Sequence, residues 1–103
     1  MSIDLSKNDS NDVATISIKG HFNFDVNADF RKILDSASDG DYKVVIDMAM
    51  VDEIDSSALG MLLLLREQCG AISEKIKIKN CRQDIYDVLI MANFQTMFDI
   101  DEI

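Results

Sequence analysis

The sequence has no proline and no tryptophan, only four glycines and two cysteines, and a single histidine, His21. Two cysteines without a nearby histidine do not supply the four ligands of a structural zinc site. One histidine with no serine or cysteine at a recognised spacing does not indicate nucleophilic catalysis. We therefore expect Cys69 and Cys81 to be ordinary core thiols, and we predict no metal and no cofactor.

Basic residues are also scarce, since ten Lys and Arg stand against 19 Asp and Glu, for a net charge of -9. Nucleic acids and anionic membrane surfaces attract clustered Lys and Arg, so we exclude both as partners. The longest apolar run, Met61–Leu65, is far shorter than the roughly 20 residues that cross a bilayer, and no signal-like segment precedes Ile3. We expect one domain over residues 1–103, no membrane insertion and a cytoplasmic location.

Several segments have the pattern of β-strands. Apolar and polar residues alternate around Ile16 and again over Lys75–Lys79, and Ile3–Leu5 is a candidate for an additional strand. The uninterrupted triplet Val44–Ile46 is typical of a central strand covered on both faces. In the tail, Met97–Ile103, the alternation does not distinguish a last strand from a short helix.

Helical periodicity appears between these strands. The first predicted helix follows Asp25, which can cap its N-terminus, and Gly40 suits its exit. The second begins at Asp55 or Ser56 and runs to about Cys69.

A third helix opens at Asn80, which together with Gln83 resembles a capping box. Strands that alternate with helices imply parallel crossovers. We therefore predict an α/β fold with a mixed, mostly parallel sheet of about four to five strands. Because the strand over Lys75–Lys79 is half polar, the helices are expected mainly on one face of the sheet.

The segment between the central strand and the second helix carries the most chemical information. Its acidic stretch, Val51–Ile54, is interpreted as a short loop that leads to Asp55, Ser56 and Ser57. Backbone N–H groups at a helix N-terminus lack intrahelical partners, and the helix dipole favours an anion there. Either Asp55 and Ser56 only cap the helix, or Ser56 is also a phosphoacceptor that gains about -1.5 to -2 charge when modified.

The runs Val44–Asp47 and Ile54–Gly60 resemble the signature of STAS domains of the bacterial anti-sigma factor antagonist family. That signature is a hydrophobic stretch ending in Asp, followed by Asp-Ser-Ser/Thr-Gly-Leu-Gly. The run Gly20–Asp25 also resembles the loop that these domains place before their first helix. Ala58 departs from the pattern, which most often has Gly there. Because helices tolerate Ala better than Gly, we expect a firmer first turn and less room for a partner.

The resemblance implies a phosphorylation site at Ser56, with Ser57 as the second choice. It places Asp55, Asp25 and Gly60 in the environment of that site. It also implies a binding module rather than an enzyme. In this family the unphosphorylated form binds an anti-sigma factor or serine kinase, the phosphorylated form is released, and a serine phosphatase or response regulator restores binding.

Partner binding is expected at Ser57, Ala58, Leu64, Phe22 and Phe24. A helical wheel places Leu64 away from the core-facing side of the second helix, so it is either partly covered or an anchor for a partner. The two phenylalanines are either core residues or part of the same docking rim.

STAS-like domains also serve as subunits of transporters and of lipid-trafficking ABC complexes, where no phosphoserine is needed. This is the alternative function that the resemblance allows. The acidic residues Asp52, Glu53 and Asp55 match no calcium-loop spacing, so they are interpreted as solvated groups that attract a basic partner.

Overall fold

The structure is a computed structural model that describes residues 3–38 and 42–102. Two strands form an N-terminal hairpin, and helices and strands then alternate to the end of the chain. In order, the elements are β1 (Ile3–Asn8), β2 (Val13–Phe22), α1 (Asn27–Ser38), β3 (Lys43–Ile54), α2 (Ser56–Gln68), β4 (Ile76–Lys79), α3 (Gln83–Met91) and β5 (Asp99–Ile100). Short 3-10 turns lie at Phe24–Val26, Ser73–Lys75 and Phe94–Thr96.

The five strands form one sheet whose spatial order follows the chain. β1 is antiparallel to β2, and every other neighbouring pair is parallel. The prediction of a mixed, mostly parallel α/β sheet is confirmed. The tail supplies the short strand β5, which pairs with β4 through Lys77 and Asp99.

The strand register aligns the buried residues on one face of the sheet. Ile16 lies opposite Ile46, which lies opposite Ile78, and all three are fully buried. Each helix contributes to the same core cluster, for example through Phe30, Leu62 and Leu89. All three helices therefore pack on this face, as predicted.

The other face of the sheet is polar and only partly covered. Thr15, Val45 and Lys77 lie side by side on it, and each is partly exposed. The interpretation of Val44–Ile46 as covered on both faces was therefore wrong, because Val45 is partly exposed and the three helices of the described residues pack on the opposite face. Along the described ranges, no helix combines the length and the apolar character needed to cross a membrane.

The starts of α1 and α3 also differ from the sequence-based expectation. Asn23 accepts a hydrogen bond from the Asp25 backbone N–H at 2.9 Å, so Asn23, not Asp25, caps the turn that leads into α1. The predicted exit of this helix at Gly40 lies outside the described residues. Arg82 occupies the N-cap position of α3, and Asn80 has a left-handed φ of 63° two residues earlier. The predicted capping box is therefore wrong.

The acidic segment Val51–Ile54 is strand rather than loop. It pairs with the end of β2, where Gly20 lies opposite Val51 and Phe22 opposite Ile54. Two register shifts place extra residues in β3, which interrupts the inside–outside alternation and leaves Met50 61% exposed. Only Asp55 separates this long strand from α2.

Candidate functional site

The parallel pairing of β2 and β3 brings two parts of the chain to one edge of the sheet. Because Phe22 pairs with Ile54, the residues that follow them begin side by side. After β2 comes the turn Phe24–Val26, and after β3 comes the N-terminus of α2. The predicted phosphosite and the loop before α1 therefore lie at the same edge of the sheet.

Asp55 caps α2. Its backbone is extended, and its Oδ1 accepts a hydrogen bond from the Ala58 N–H at 3.1 Å. Ser56 is the first helical residue and its side chain is exposed, whereas Ser57 is partly buried. The cap therefore engages the Asp55 carboxylate, and Ser56 lies exposed in the first turn.

We predict that Asp55→Ala lowers the free energy of unfolding by about 1 kcal/mol, because the Ala58 N–H loses its side-chain acceptor. Urea denaturation measures the loss. Asp52→Ala is the matched control, since it removes an exposed carboxylate that caps no helix. Equal destabilisation by the two substitutions would contradict the capping role.

A concavity of about 250 Å³ lies between the two segments and the first turns of α1 and α2. One wall comes from α2 and includes three of the predicted site residues, Ser57, Gly60 and Leu64. The full lining is Phe24, Asn27, Arg31, Ser57, Gly60, Met61 and Leu64. The structure thus brings Phe24 together with the α2 residues, and it adds Asn27, Arg31 and Met61, which the sequence did not identify.

The two phenylalanines before α1 have opposite environments. Phe24 is 68% exposed, while Phe22 is completely buried and its ring centroid lies 6.1 Å from that of Phe30. Phe22 is therefore a core residue, and its prediction as a partner-binding residue was wrong. Ala58 is also completely buried, so its side chain cannot contact a partner.

Leu64 lines the concavity and also packs against the core cluster. Its neighbour Leu63 is the more exposed of the two, at 38%. The helical wheel placed Leu64 away from the core because it assumed a core on one side of α2 only, whereas α1 also packs against this helix. Any use of Leu64 by a partner must therefore involve its edge within the concavity.

Gly60 is exposed, and a Cβ built there would meet no atom within 4 Å. The fold itself therefore does not require a glycine at this position in α2. We predict that Gly60→Ala raises the free energy of unfolding by up to about 1 kcal/mol through helix propensity. The added methyl would also enter the concavity from its α2 wall.

Gly70→Ala provides the contrast, because Gly70 has a left-handed φ of 81° after α2. There the same substitution should destabilise the protein by about 1 kcal/mol. Thermal unfolding of the two variants distinguishes them by the sign of the shift. A loss of stability in Gly60→Ala would mean that this part of α2 has no room for a side chain.

Asp47, the first aspartate of the motif, lies away from the phosphosite. Its Oδ1 accepts hydrogen bonds from the Asn80 side chain and the Ala49 N–H, both at 3.0 Å. Burial alone would raise the pKa of Asp47, but these bonds and the nearby Lys79 ammonium outweigh it and hold the pKa below its ordinary value. Asp47 therefore ties β3 to the connection between β4 and α3.

Two further groups singled out by the sequence are unremarkable chemically. His21 Nε2 lies 3.6 Å from Asp52 Oδ1, but both side chains are more than half exposed, so this pair contributes little stability. Burial, reinforced by Asp101, raises the pKa of the Cys81 thiol to about 11, which keeps it protonated at neutral pH. Within residues 3–38 and 42–102, no three His, Cys, Asp or Glu side chains are arranged to hold a metal ion.

Comparison with known proteins agrees with this geometry. A family model described as Mlab, STAS domain matches residues 5–99. The STAS-domain containing protein PA14_20770 of Pseudomonas aeruginosa (strain UCBPP-PA14) is 37% identical over 86 residues, which cover 84% of this chain and 85% of that protein.

Two solved structures of SpoIIAA share the fold. The anti-sigma factor antagonist SpoIIAA in its unphosphorylated form superposes with a TM-score of 0.73 at 16% identity, covering 98% of this chain and 88% of the other. The Bacillus cell fate determinant SpoIIAA in its phosphorylated form gives a TM-score of 0.63 at 12% identity, covering 97% and 91%. The chain belongs to the STAS-domain family, and its fold is that of SpoIIAA.

Proposed function

We propose that this protein is an anti-sigma factor antagonist of a bacterial partner-switching pathway, controlled by phosphorylation of Ser56. The unphosphorylated form binds an anti-sigma factor or serine-kinase regulator, and the phosphorylated form is released. A serine phosphatase, acting with or within a response regulator, removes the phosphate. The observation that carries the proposal is the exposed Ser56 at the start of α2, next to the concavity that Phe24 and Leu64 line.

The protein acts here as the substrate of a kinase and not as an enzyme. The kinase transfers the γ-phosphoryl group of ATP to Ser56 Oγ, so that an O–P bond forms, the bond to the β-phosphate oxygen breaks, and ADP leaves. The hydroxyl proton passes to a base of the kinase. An exposed serine suits this reaction because the kinase must bring its hydroxyl in line with the transferred group.

Phosphate at this position should leave the fold intact. An anion at a helix N-terminus is stabilised by about 0.3–1 kcal/mol at exposed sites. Asp55, the preceding residue, keeps its bond to the Ala58 N–H and adds a second negative charge beside the phosphate. Phosphorylation should therefore act by lowering the affinity of a partner that would cover both charges.

The experiment is mass analysis of the protein purified from its native host, with the modified residue mapped by peptide fragmentation. We expect one phosphoryl group on Ser56, lost in Ser56→Ala and retained in Ser57→Ala expressed from the same locus. Phosphate on Ser57, or none across growth phases, would contradict the proposal.

A second candidate function is favoured by the family model itself, which is described by Mlab rather than by SpoIIAA. In that case the protein is a STAS subunit of a transporter or lipid-trafficking ABC complex and needs no phosphoserine. Affinity purification from the native host separates the two functions. Recovery of a kinase-fold or response-regulator protein supports the first, and recovery of an ABC transporter supports the second.

A further inference from the structure

We propose that the surface around Phe24 binds a basic segment of a protein partner, with one apolar side chain of that segment seated beside Phe24 in the concavity. This inference rests on the proposed function and adds the chemistry of the partner. It depends on three features of the site: a carboxylate-rich rim, an exposed aromatic ring and one arginine.

The rim carries an excess of negative charge. Residues 20–30 and 50–60 contain five carboxylates and no Lys or Arg, and the pairing of Phe22 with Ile54 brings these two segments together. The five are Asp25, Asp29, Asp52, Glu53 and Asp55. The nearest Lys and Arg in the sequence flank these segments: Lys19 lies on β2, and Arg31 and Lys32 lie on α1, where Lys32 is 3.9 Å from Asp29.

An apolar surface adjoins these acidic segments, and the described residues that line it include no carboxylate. Phe24 presents 68% of its surface to solvent and forms one side of the 250 Å³ concavity, with Met61 and Leu64 on the other. Removing this exposed ring from water against an apolar side chain of the partner favours binding. A Lys or Arg next to that side chain in the partner would interact favourably with the carboxylates of the adjoining segments.

Arg31 defines the orientation in which the partner segment can bind. It is the only basic residue among the described residues that line the concavity. A backbone carbonyl or a single carboxylate of the partner can pair with Arg31 on the α1 side. The basic residues of the partner then lie toward the ends of β2 and β3. A partner with acidic residues at the rim would face like charges, and the net charge of -9 would repel it during approach.

Site-specific photocrosslinking identifies the occupant. The full chain carrying p-benzoylphenylalanine in place of Phe24 is expressed in the native host and irradiated, and the crosslinked segment is sequenced by mass spectrometry. We expect a segment in which Lys and Arg outnumber Asp and Glu and which contains the crosslinked apolar residue. The same probe at Gln83, exposed on α3, should not capture that segment. An acidic or neutral segment, or no adduct at position 24, would overturn the inference.

Matched charge variants test the rim in binding to the captured protein. We expect Asp52→Asn with Glu53→Gln to slow association about tenfold at low salt, with little difference at high salt, where screening removes the steering. The control is Asp84→Asn with Asp87→Asn, which removes the same two negative charges from α3. Its association rate should change at most twofold. An equal effect of the two pairs would mean that overall charge, and not this rim, attracts the partner.

The two proposals fail in different ways. If Ser56 carries phosphate but the captured segment is acidic, only the inference about the partner's charge is wrong. If a basic segment is captured but Ser56 is never phosphorylated, the docking chemistry stands and the phosphorylation switch is wrong.

Discussion

Replacing Ser56 by aspartate is expected to weaken binding of the protein partner at least thirtyfold, whereas Ser56→Ala retains binding. Burying an uncompensated charge in an interface commonly costs about 2–5 kcal/mol, which corresponds to a loss of roughly thirty- to several thousandfold in affinity. The new carboxylate would stand next to that of Asp55, which the capping bond to Ala58 holds in place. The interface would then have to bury two adjacent negative charges.

Titration calorimetry with the partner that photocrosslinking identifies measures this loss of affinity. Thermal unfolding checks that the variants stay folded. Ser10→Asp is the matched control, because Ser10 is exposed in the turn between β1 and β2. It makes the same chemical change at a site outside the proposed interface. Equal affinities for Ser56→Asp and Ser56→Ala would rule out control by charge at this position.

The second large effect concerns the two phenylalanines before α1. Phe22→Ala should lower the free energy of unfolding by about 3–5 kcal/mol, since it removes a fully buried ring that packs against Phe30. Domains of this kind are stable by only about 5–15 kcal/mol, so the variant loses a large part of its stability. Phe24→Ala, two residues away and 68% exposed, should change stability by about 0.5 kcal/mol or less.

Chemical denaturation of both variants measures this difference. Phe24→Ala should in turn weaken partner binding about tenfold or more, because aromatic residues at the centre of an interface often dominate its energy. Comparison of the two variants therefore distinguishes a residue needed for folding from one needed for partner binding. Similar losses of stability in both variants would show that Phe24 belongs to the core, and unchanged affinity in Phe24→Ala would remove it from the docking surface.

Local patterns in the sequence predicted most of the fold. The alternation around Ile16 and the continuous run at Val44–Ile46 indicated β2 and the core of β3. The N-terminus of α2 was also predictable, because Asp55 is a residue type that caps helices and its acceptor role depends only on the next three residues. That cap also places Ser56 at the first position of the helix.

Features set by pairing between distant segments were not predictable. Asp52 and Glu53 have low strand propensity, yet they extend β3 because the end of β2 offers them a hydrogen-bonding partner strand. In the same way, Phe22 and Phe24 are chemically identical, but Phe22 ends β2 and pairs with Ile54, whereas Phe24 opens the following turn, where it is exposed. Arg31 joined the site because α1 packs against α2, which periodicity within either helix does not reveal.

The single-residue connection between β3 and α2 constrains how any enzyme could recognise Ser56. Many kinases bind their target as an extended peptide, but here the flanking residues are held in the sheet ladder on one side and in helical turns on the other. Pulling this segment into an extended shape would mean breaking the central strand away from its neighbours. A modifying enzyme must therefore recognise the intact folded surface, and an isolated peptide spanning Ser56 should be a poor substitute for the whole domain.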